Sequence, residues 1–386
     1  MKYKREEVVY GSIKVYFTDF RTGPGGENLP AKLKRLAKTA GIGDIDMNNK
    51  FVAIKLHFGE LGNISYLRPN YAKAVADLVK ELGGKPFLTD CNTLYPGSRK
   101  NALDHLYCAW ENGFTPLTVG CPVIIGDGLK GTDDMAVPVE GAEYTKEALI
   151  GRAVMDADVF ISLTHFKGHE MTGFGGTIKN IGMGCGSRAG KKDMHSNGKP
   201  RINQEECRGC KRCMRECANN GLVFDEETKK MSIDQDSCVG CGRCLGACNF
   251  DAISFSNNQA IPVLNAKMAE YTKAVVDGRD AFHMSLIVDV SPYCDCHAEN
   301  DAPILPNIGM FASFDPVALD QACADACLKA EPIRNSLLGD HMHEEGFVDH
   351  HDHFKNTTPE SEWETQLIHG EKIGLGSRAY DLIKVK

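Results

Sequence analysis

Two cysteine quartets near the middle of the chain limit its structure more than any other feature of the sequence. Both have the spacing C-x-x-C-x-x-C-x-x-x-C, and the second begins 31 residues after the first, so the segment is an internal duplication. A tight loop with this spacing can place three thiolates around one cubane iron–sulfur cluster, and the fourth cysteine lies one helical turn further on. The quartets are Cys207, Cys210, Cys213 and Cys217, and Cys238, Cys241, Cys244 and Cys248.

We therefore predict two 4Fe–4S clusters in the ligand pattern of bacterial two-cluster ferredoxins. In that pattern the fourth cysteine of each run binds the cluster of the other run. The first cluster is assigned to Cys207, Cys210, Cys213 and Cys248, and the second to Cys238, Cys241, Cys244 and Cys217. The familiar motif ends in Cys-Pro, whereas Ala218 and Asn249 follow here. This difference alters the exit path of the chain and leaves the ligand set unchanged.

Zinc and disulfide bonds are the alternative uses of so many cysteines. Zinc commonly takes two separated C-x-x-C pairs, which two evenly stepped quartets do not match. Disulfides need an oxidising compartment, and residues 1–10 contain no apolar signal segment. The sixteen cysteines therefore predict a metal-binding protein of the reducing cytoplasm.

Length and composition bound the remaining classes. The 386 residues exceed what a ferredoxin requires, and 42% hydrophobic with 25% charged residues is typical of a globular protein. The sequence has no apolar run long enough to cross a membrane. A net charge of −8 without a long basic tract argues against nucleic acid as a partner.

Strand and helix patterns alternate on both sides of the cysteine segment, which predicts an α/β fold with a mostly parallel sheet and flanking helices. We expect strands at 51–58, 86–91, 123–126, 158–166 and 285–290, and helices at 69–84, 99–114, 147–156, 315–330 and 359–369. Asp315 is the predicted N-cap of its helix, with Pro316 in the first turn. The α/β domain is expected at 1–199 and 258–386, with an inserted α+β ferredoxin-like module at 200–257.

Polar side chains follow several predicted strands, and ligands bind beyond the carboxyl ends of strands in open α/β sheets. Lys55 and His57 end one strand and share one of its faces, whereas His165, Lys167 and His169 follow another. If these strand ends converge, they form a site in which the histidines exchange protons and the lysines hold an anionic substrate. For any single residue, a structural role at the sheet edge is an equal alternative.

The glycine-rich segment 173–180 has two readings. Its backbone N–H groups could cradle an anion, although it matches neither a P-loop nor a dinucleotide fingerprint. It could equally be a turn where the backbone packs closely.

A third metal or iron–sulfur site is a further prediction, with Cys185, Cys294, Cys296 and His297 as its candidate ligands. The alternative is that these cysteines are reduced, buried and without a ligand. Cys323 and Cys327 are better explained as small residues that pack a helix, and the histidine-rich segment 341–353 as a solvated loop.

Five motifs occur together in the chain, namely Lys55-x-His57-Phe58-Gly59-Glu60, Asp90-x-Asn92-Thr93-Leu94-Tyr95, His165-Phe166-Lys167-Gly168-His169, Gly175-Gly176-x-x-Lys179-Asn180-x-Gly182-Met183-Gly184 and Ser313-x-Asp315-Pro316-Val317-Ala318-x-Asp320. With these motifs the chain resembles the uncharacterised iron–sulfur-centre protein family that carries domain of unknown function 362. The resemblance covers nearly the whole chain and implies an α/β body with bound clusters, without an established reaction.

These features favour an oxidoreductase that passes low-potential electrons through two clusters to a substrate or metal in the α/β cleft. Its expected partners are an electron donor or acceptor protein and a small anionic substrate. The alternatives are a non-enzymatic electron carrier or a metallocofactor-assembly factor. A redox sensor has less support, because the sequence contains no basic or helix-turn-helix-like segment.

Overall fold

An eight-stranded sheet forms the centre of the α/β body. The computed structural model of the chain describes residues 12–94, 97–195, 199–217, 219–238, 240, 244, 247, 248, 250, 252–255 and 260–386. The strand order is β16-β1-β15-β14-β7-β2-β3-β4. These strands are β1 Lys14–Asp19, β2 Phe51–Lys55, β3 Lys85–Asp90, β4 Val123–Ile125, β7 Val159–His165, β14 Asp280–Ile287, β15 Gly309–Ser313 and β16 Asp381–Lys384.

The sheet is mostly parallel, as predicted. Strands β14, β7, β2, β3 and β4 run parallel to one another, and β1 is parallel to β16. Only β15 is reversed among the described strands of this sheet, since it is antiparallel to both β1 and β14. The carboxyl ends of β2, β3, β7 and β14 therefore meet at one edge, where a ligand site is expected.

Helices cover both faces of the sheet. Successive residues of its strands point to opposite faces, and apolar side chains on both faces need to be buried. On β7, Phe160 packs in one hydrophobic core, whereas Val159, Ile161 and Leu163 pack in the other. The described helices are α1 Leu29–Thr39, α2 Pro69–Glu81, α3 Ala102–Glu111, α4 Pro116–Val119, α5 Arg152–Met155, α6 Thr177–Cys185, α7 Arg188–His195, α8 Arg212–Arg215, α9 Ala260–Val276, α10 Pro316–Leu328, α11 Leu337–His341, α12 His353–Thr357 and α13 Glu364–Lys372.

The predicted helix at 147–156 is wrong over its first half. The chain there forms β6 Glu147–Gly151, which pairs antiparallel with β5 Asp134–Pro138, and only the four residues of α5 follow as a helix. Ala148 and Ile150 are fully buried by this pairing. The tertiary partner, which the local sequence does not specify, overrides helix propensity here. The predicted N-cap is confirmed, because the Asp315 carboxylate accepts hydrogen bonds from the N–H groups of Val317 and Ala318.

The cysteine-rich segment has strand pairs and a small core of its own. Strand β10 Pro200–Ile202 pairs with β13 Ile253–Phe255, and β11 Leu222–Phe224 pairs with β12 Met231–Ile233. Its core contains Cys207, Cys213, Leu222, Met231, Cys244, Ala252 and Ile253. The segment lies in the chain between α7 and α9, at the position where the sequence predicts an insertion.

Buried histidines make the stability of the body depend on pH. Burial lowers the pKa of His283 to about 3, and its Nδ1 lies 2.9 Å from Ser162 Oγ. Because this folded pKa is below the unfolded value, the contribution of His283 is complete above about pH 6.5 and is lost as the pH falls. The cost is about 1.4 kcal/mol at pH 5.5.

We therefore expect His283→Gln to reduce the loss of stability between pH 7.5 and pH 5.5 by about 1.4 kcal/mol. Urea unfolding at the two pH values measures this difference. His351→Gln is the matched control, since the side chain of His351 is 91% exposed. An unchanged difference in the His283→Gln protein would contradict the prediction.

Candidate functional site

A cavity lies at the carboxyl edge of the sheet. It is lined by residues that follow β2, β3, β7 and β14 and by residues of α6, α7 and α9. The predicted site residues that line it are Lys55, His57, His165, Lys167, His169, Cys294 and Cys296. The structure therefore brings together strand ends that are far apart in the sequence.

Lys55 is held in place by hydrogen bonds and an ion pair. Its Nζ lies 3.1 Å from Asp90 Oδ1, and it donates to Asn180 Oδ1 at 2.8 Å and to the Leu56 carbonyl at 3.2 Å. Burial raises the pKa of Asp90, but Lys55, His57 and His105 outweigh burial and hold it below its usual value. Lys55 therefore keeps a buried carboxylate ionised at the wall of the cavity.

His57 is a neutral hydrogen-bond acceptor. Burial and the Arg99 guanidinium lower the pKa of His57 well below its usual value. Gly59 N donates to His57 Nδ1 at 2.9 Å, and Arg99 Nη1 lies 3.0 Å from His57 Nε2, so a donor faces each ring nitrogen. These contacts orient the ring and leave neither nitrogen open to exchange a proton with a substrate.

His165 has both ring nitrogens engaged, in contrast to the proton-exchanging role that the sequence predicts. Nδ1 lies 2.9 Å from the Asp295 carboxylate, and Nε2 lies 2.7 Å from the Val288 carbonyl. Both partners can only accept, so both nitrogens carry protons. Lys167 Nζ is 3.5 Å from the same carboxylate and donates to the His165 carbonyl. His165 and Lys167 are thus charge partners of Asp295.

The surroundings of Cys294, a thiol that lines the cavity, lower its pKa. The Cys296 thiol donates a hydrogen bond to it, and this bond, with Lys179, His169 and Lys167, holds the pKa of Cys294 well below its usual value, although burial raises it. Lys179 Nζ lies 3.6 Å from Cys294 Sγ. His169 Nδ1 accepts from the N–H groups of Met171 and Thr172, so its proton is on Nε2. Cys294 therefore has the surroundings of a thiolate.

The four candidate ligands of a third metal site are not gathered at one point. Cys294 and Cys296 line the cavity, whereas Cys185 is the last residue of α6 and packs in a hydrophobic core. His297 Nε2 lies 3.0 Å from Glu170 Oε1. Among the described residues, no three His, Cys, Asp or Glu side chains are grouped so that they could hold one metal ion.

The glycine-rich segment ends at a helix whose N-terminus already holds a carboxylate of the chain itself. Thr177 N and Ile178 N, the first amides of α6, donate to Asp320 at 2.6 and 2.8 Å. A Cβ at Gly176 would lie 2.6 Å from Asp320 Oδ1. Burial raises the pKa of Asp320 to about 6, against the amides, which lower it. Close packing, rather than a bound anion, therefore explains this glycine.

A second cavity lies in the cysteine-rich segment. Four of the residues that line it are Cys207, Cys210, Cys213 and Cys248, the set assigned to the first cluster. Met231 N donates to Cys207 Sγ at 3.4 Å. Gly209 has φ +61°, and a Cβ there would clash with the Lys229 carbonyl, so the loop depends on glycine at this position.

The ligands assigned to the second cluster are described only in part, because Cys241 lies outside the described residues. Cys217 Sγ accepts from Gly221 N at 3.2 Å, and Cys238 Sγ accepts from Gly240 N at 3.4 Å. Amide donors to cluster sulfurs are typical of iron–sulfur sites and influence their potential. The residues therefore fit the predicted group at the first site, and the described ones fit it at the second.

The other candidate ligands have structural surroundings. Cys323 and Cys327 are fully buried on α10, and burial raises the pKa of both thiols. In the histidine-rich segment, His341 Nδ1 lies 3.1 Å from the Asn356 carbonyl and His343 Nδ1 lies 2.6 Å from the Gly339 carbonyl.

Arg99 and Asp295 were not singled out as acting residues by the sequence, yet each contacts a predicted one. Arg99 approaches His57, and Asp295 approaches His165. Of these, only Asp295 could have been found from the sequence, because it lies between the candidate ligands Cys294 and Cys296.

Comparison with known proteins identifies the family. The sequence profile described as Domain of unknown function (DUF362) matches residues 52–325. The chain belongs to this family. The DUF362 match contains the strands β2, β3, β7 and β14 that supply the cavity, and it also contains both cysteine quartets.

Other similarities of this DUF362 protein are more distant. It is 31% identical over 124 residues to the thylakoid-associated protein sll1697 of Synechocystis sp., a match to 31% of this chain and 32% of that protein. The chain thus matches about a third of the length of this curated relative. Two solved structures at 11% identity are lactate racemase apoprotein from Thermoanaerobacterium thermosaccharolyticum, with a TM-score of 0.36 over 67% of this chain and 49% of that chain, and a protein from Thermotoga maritima, with 0.41 over 77% and 57%. In the described part of the chain, every helix is too short or too polar to span a membrane.

Proposed function

We propose that the protein is a cytoplasmic iron–sulfur oxidoreductase in which two 4Fe–4S clusters pass low-potential electrons to a small anionic substrate in the cavity of the sheet. One observation carries the proposal: Cys248 lines the same cavity as Cys207, Cys210 and Cys213. This is the crossed set that the duplicated motif requires of a two-cluster module. An inserted ferredoxin-like module at 200–257 is the corresponding domain assignment.

The spacing of these cysteines favours a cluster over a single zinc ion, because zinc commonly takes two separated C-x-x-C pairs. When bound, the clusters would supply one-electron transfer, and the body would supply the substrate site, its charges and its protons.

The charges of the large cavity support an anionic substrate. Its lining contains five cationic side chains and two carboxylates, namely Lys55, Arg99, Lys167, Lys179 and Lys191, against Asp90 and Glu170. Lys179 and the Cys294 sulfur would face the substrate, and Arg99 would add a further positive charge beside His57. An electron donor or acceptor protein is the expected macromolecular partner.

A metallocofactor-assembly factor or electron carrier is the second candidate, and one observation favours it. The Cys294 and Cys296 thiols lie next to each other in the large cavity, where soft ligands could receive a metal ion in transit. In that case the two sulfur atoms would bind the metal, and the charged residues of the cavity would contribute less to function.

We expect Lys179→Met to abolish function in a strain that lacks the native gene, because it removes the charge beside Cys294 and keeps the side-chain length. Complementation under anaerobic conditions measures the effect, with iron content as the check that the clusters remain. Lys192→Met, which replaces an exposed lysine of α7, is the matched control. If Lys179→Met complements as well as wild type while Cys207→Ala fails, the carrier or assembly role replaces the enzyme.

A further inference from the structure

Arg99 is fixed at the wall of the large cavity by the loop that follows β3. The Thr93 amide and hydroxyl both donate to the Arg99 carbonyl, at 2.8 and 3.3 Å. Glu60 secures the same loop, since its Oε1 accepts from Ser98 N at 2.7 Å. The loop therefore holds the Arg99 backbone in one place.

The guanidinium is oriented on two of its three sides. Nε donates to Glu60 Oε2 at 3.0 Å, and Nη1 lies 3.0 Å from His57 Nε2. These contacts fix the plane of the group, because the five donors of arginine have a rigid geometry. Glu60 is itself tied to the loop of Cys294, since Glu60 N donates to the Asp295 carbonyl at 2.9 Å.

The third side, Nη2, has no partner among the residues that the structure describes. Arg99 is 1% exposed, and its Nη2 is a buried donor without a hydrogen bond to any described residue, although the side chain lines the cavity. A buried donor left without a partner is destabilising, and more so when the group is charged. A ligand oxygen that enters the cavity would remove this cost.

Most other cations of the cavity are already committed to protein groups. Lys55 binds Asp90 and Asn180, Lys167 contacts Asp295, and Lys191 donates to the Gly186 carbonyl. Lys179, beside Cys294, and the Nη2 edge of Arg99 are the cationic donors that these described contacts leave for a ligand.

We propose that the Nη2 edge of Arg99 binds an oxyanion of the substrate, either a carboxylate or a phosphate. This inference names the substrate class of the proposed oxidoreductase and rests on that function for calling the anion a substrate. Both groups offer oxygens that match the planar donors of arginine. Arg99 then has two roles, since it orients His57 on one side and the substrate on the other.

Anion binding by the holoprotein tests the inference. Inorganic phosphate and acetate are titrated separately at constant ionic strength, and the rise of the thermal midpoint gives each dissociation constant. We expect at least one anion to bind. Binding of phosphate would indicate a phosphate group on the substrate, and binding of acetate would indicate a carboxylate. Arg99→Gln should weaken that binding by roughly 10- to 100-fold, the range for a charge-assisted hydrogen bond.

Arg21→Gln, at an exposed arginine outside the cavity, is the matched control and should bind as wild type does. Binding to Arg99→Gln within twofold of wild type, or no binding of either anion by wild type, would overturn the inference. If Arg99→Gln does not fold, a crystal of wild type with the bound anion decides. An oxygen within hydrogen-bond distance of Nη2 supports the inference, and an anion placed elsewhere overturns it.

The proposed function has a separate readout. Arg99→Gln should keep the iron and sulfide content of wild type, because Arg99 lies outside the cysteine-rich segment. A protein that binds anions at Arg99 but contains zinc would retain this anion site and lose the oxidoreductase proposal. A protein that contains both clusters but binds neither anion would lose only the Arg99 inference.

Discussion

Cys248→Ala is expected to remove the same 4Fe–4S cluster as Cys207→Ala, although the two cysteines are 41 residues apart. Both residues line one cavity, so each variant should lose the cluster assigned to that cavity and keep the other. Iron and acid-labile sulfide should fall from about eight of each per chain to about four. Elemental analysis and electron paramagnetic resonance of the reduced, anaerobically purified protein measure the change.

Double variants show whether the ligation is crossed. Cys207→Ala with Cys248→Ala should retain about four irons, whereas Cys207→Ala with Cys217→Ala should retain almost none. Uncrossed ligation would give the opposite pair of results. Cys327→Ala, at a fully buried cysteine of α10, is the control and should keep all of the iron. Zinc in place of iron in the wild-type protein would end the cluster assignment.

Asp295→Asn should lower the free energy of unfolding by about 3–5 kcal/mol. Asp295 is fully buried, and its carboxylate lies 2.9 Å from His165 Nδ1 and 3.5 Å from Lys167 Nζ. Removal of the negative charge leaves His165 with an uncompensated charge in the interior, which is far more costly than the loss of an exposed ion pair. Denaturant unfolding at pH 7.5 measures the difference.

The pH dependence of this contribution follows from the same contacts. Burial raises the pKa of Asp295, but His165 and Lys167 outweigh it and hold the pKa below its usual value. The stabilisation is therefore present above about pH 4 and is lost as the pH falls further.

A double-mutant cycle separates charge pairing from simple packing loss. Asp295→Asn with His165→Gln should be less destabilised than the sum of the single variants, because the double variant has no unpaired imidazolium. Glu143→Gln, which breaks an exposed ion pair with Lys372, should cost less than about 1 kcal/mol. Additive effects within about 0.5 kcal/mol would show that His165 does not depend on the Asp295 charge.

The sequence predicts those features that depend on periodicity and spacing. Apolar runs such as β7 specify buried parallel strands, and their carboxyl ends place Lys55, His57 and His165 at one cavity because all parallel strands end at the same edge. The cysteine spacing predicts that Cys248 joins Cys207.

Features that depend on tertiary partners are not predictable in this way. Arg99 enters the cavity only because Glu60 and His57 orient its guanidinium, and no local pattern specifies that pairing. The first half of the predicted helix, 147–151, is a strand because β5 pairs with it. Asp320 occupies the N-terminus of α6 from 143 residues away, which removes the anion site that the glycines suggest.

The β10–β13 pair has a consequence for how such a chain could evolve. Pro200 and Phe255 are direct partners across this ladder, so the two ends of the cysteine-rich segment lie side by side. A segment attached in this way can be exchanged, shortened or lost without a change in the strand order of the main sheet. Natural variants of the body with a different segment at this position, or with none, are therefore topologically permitted.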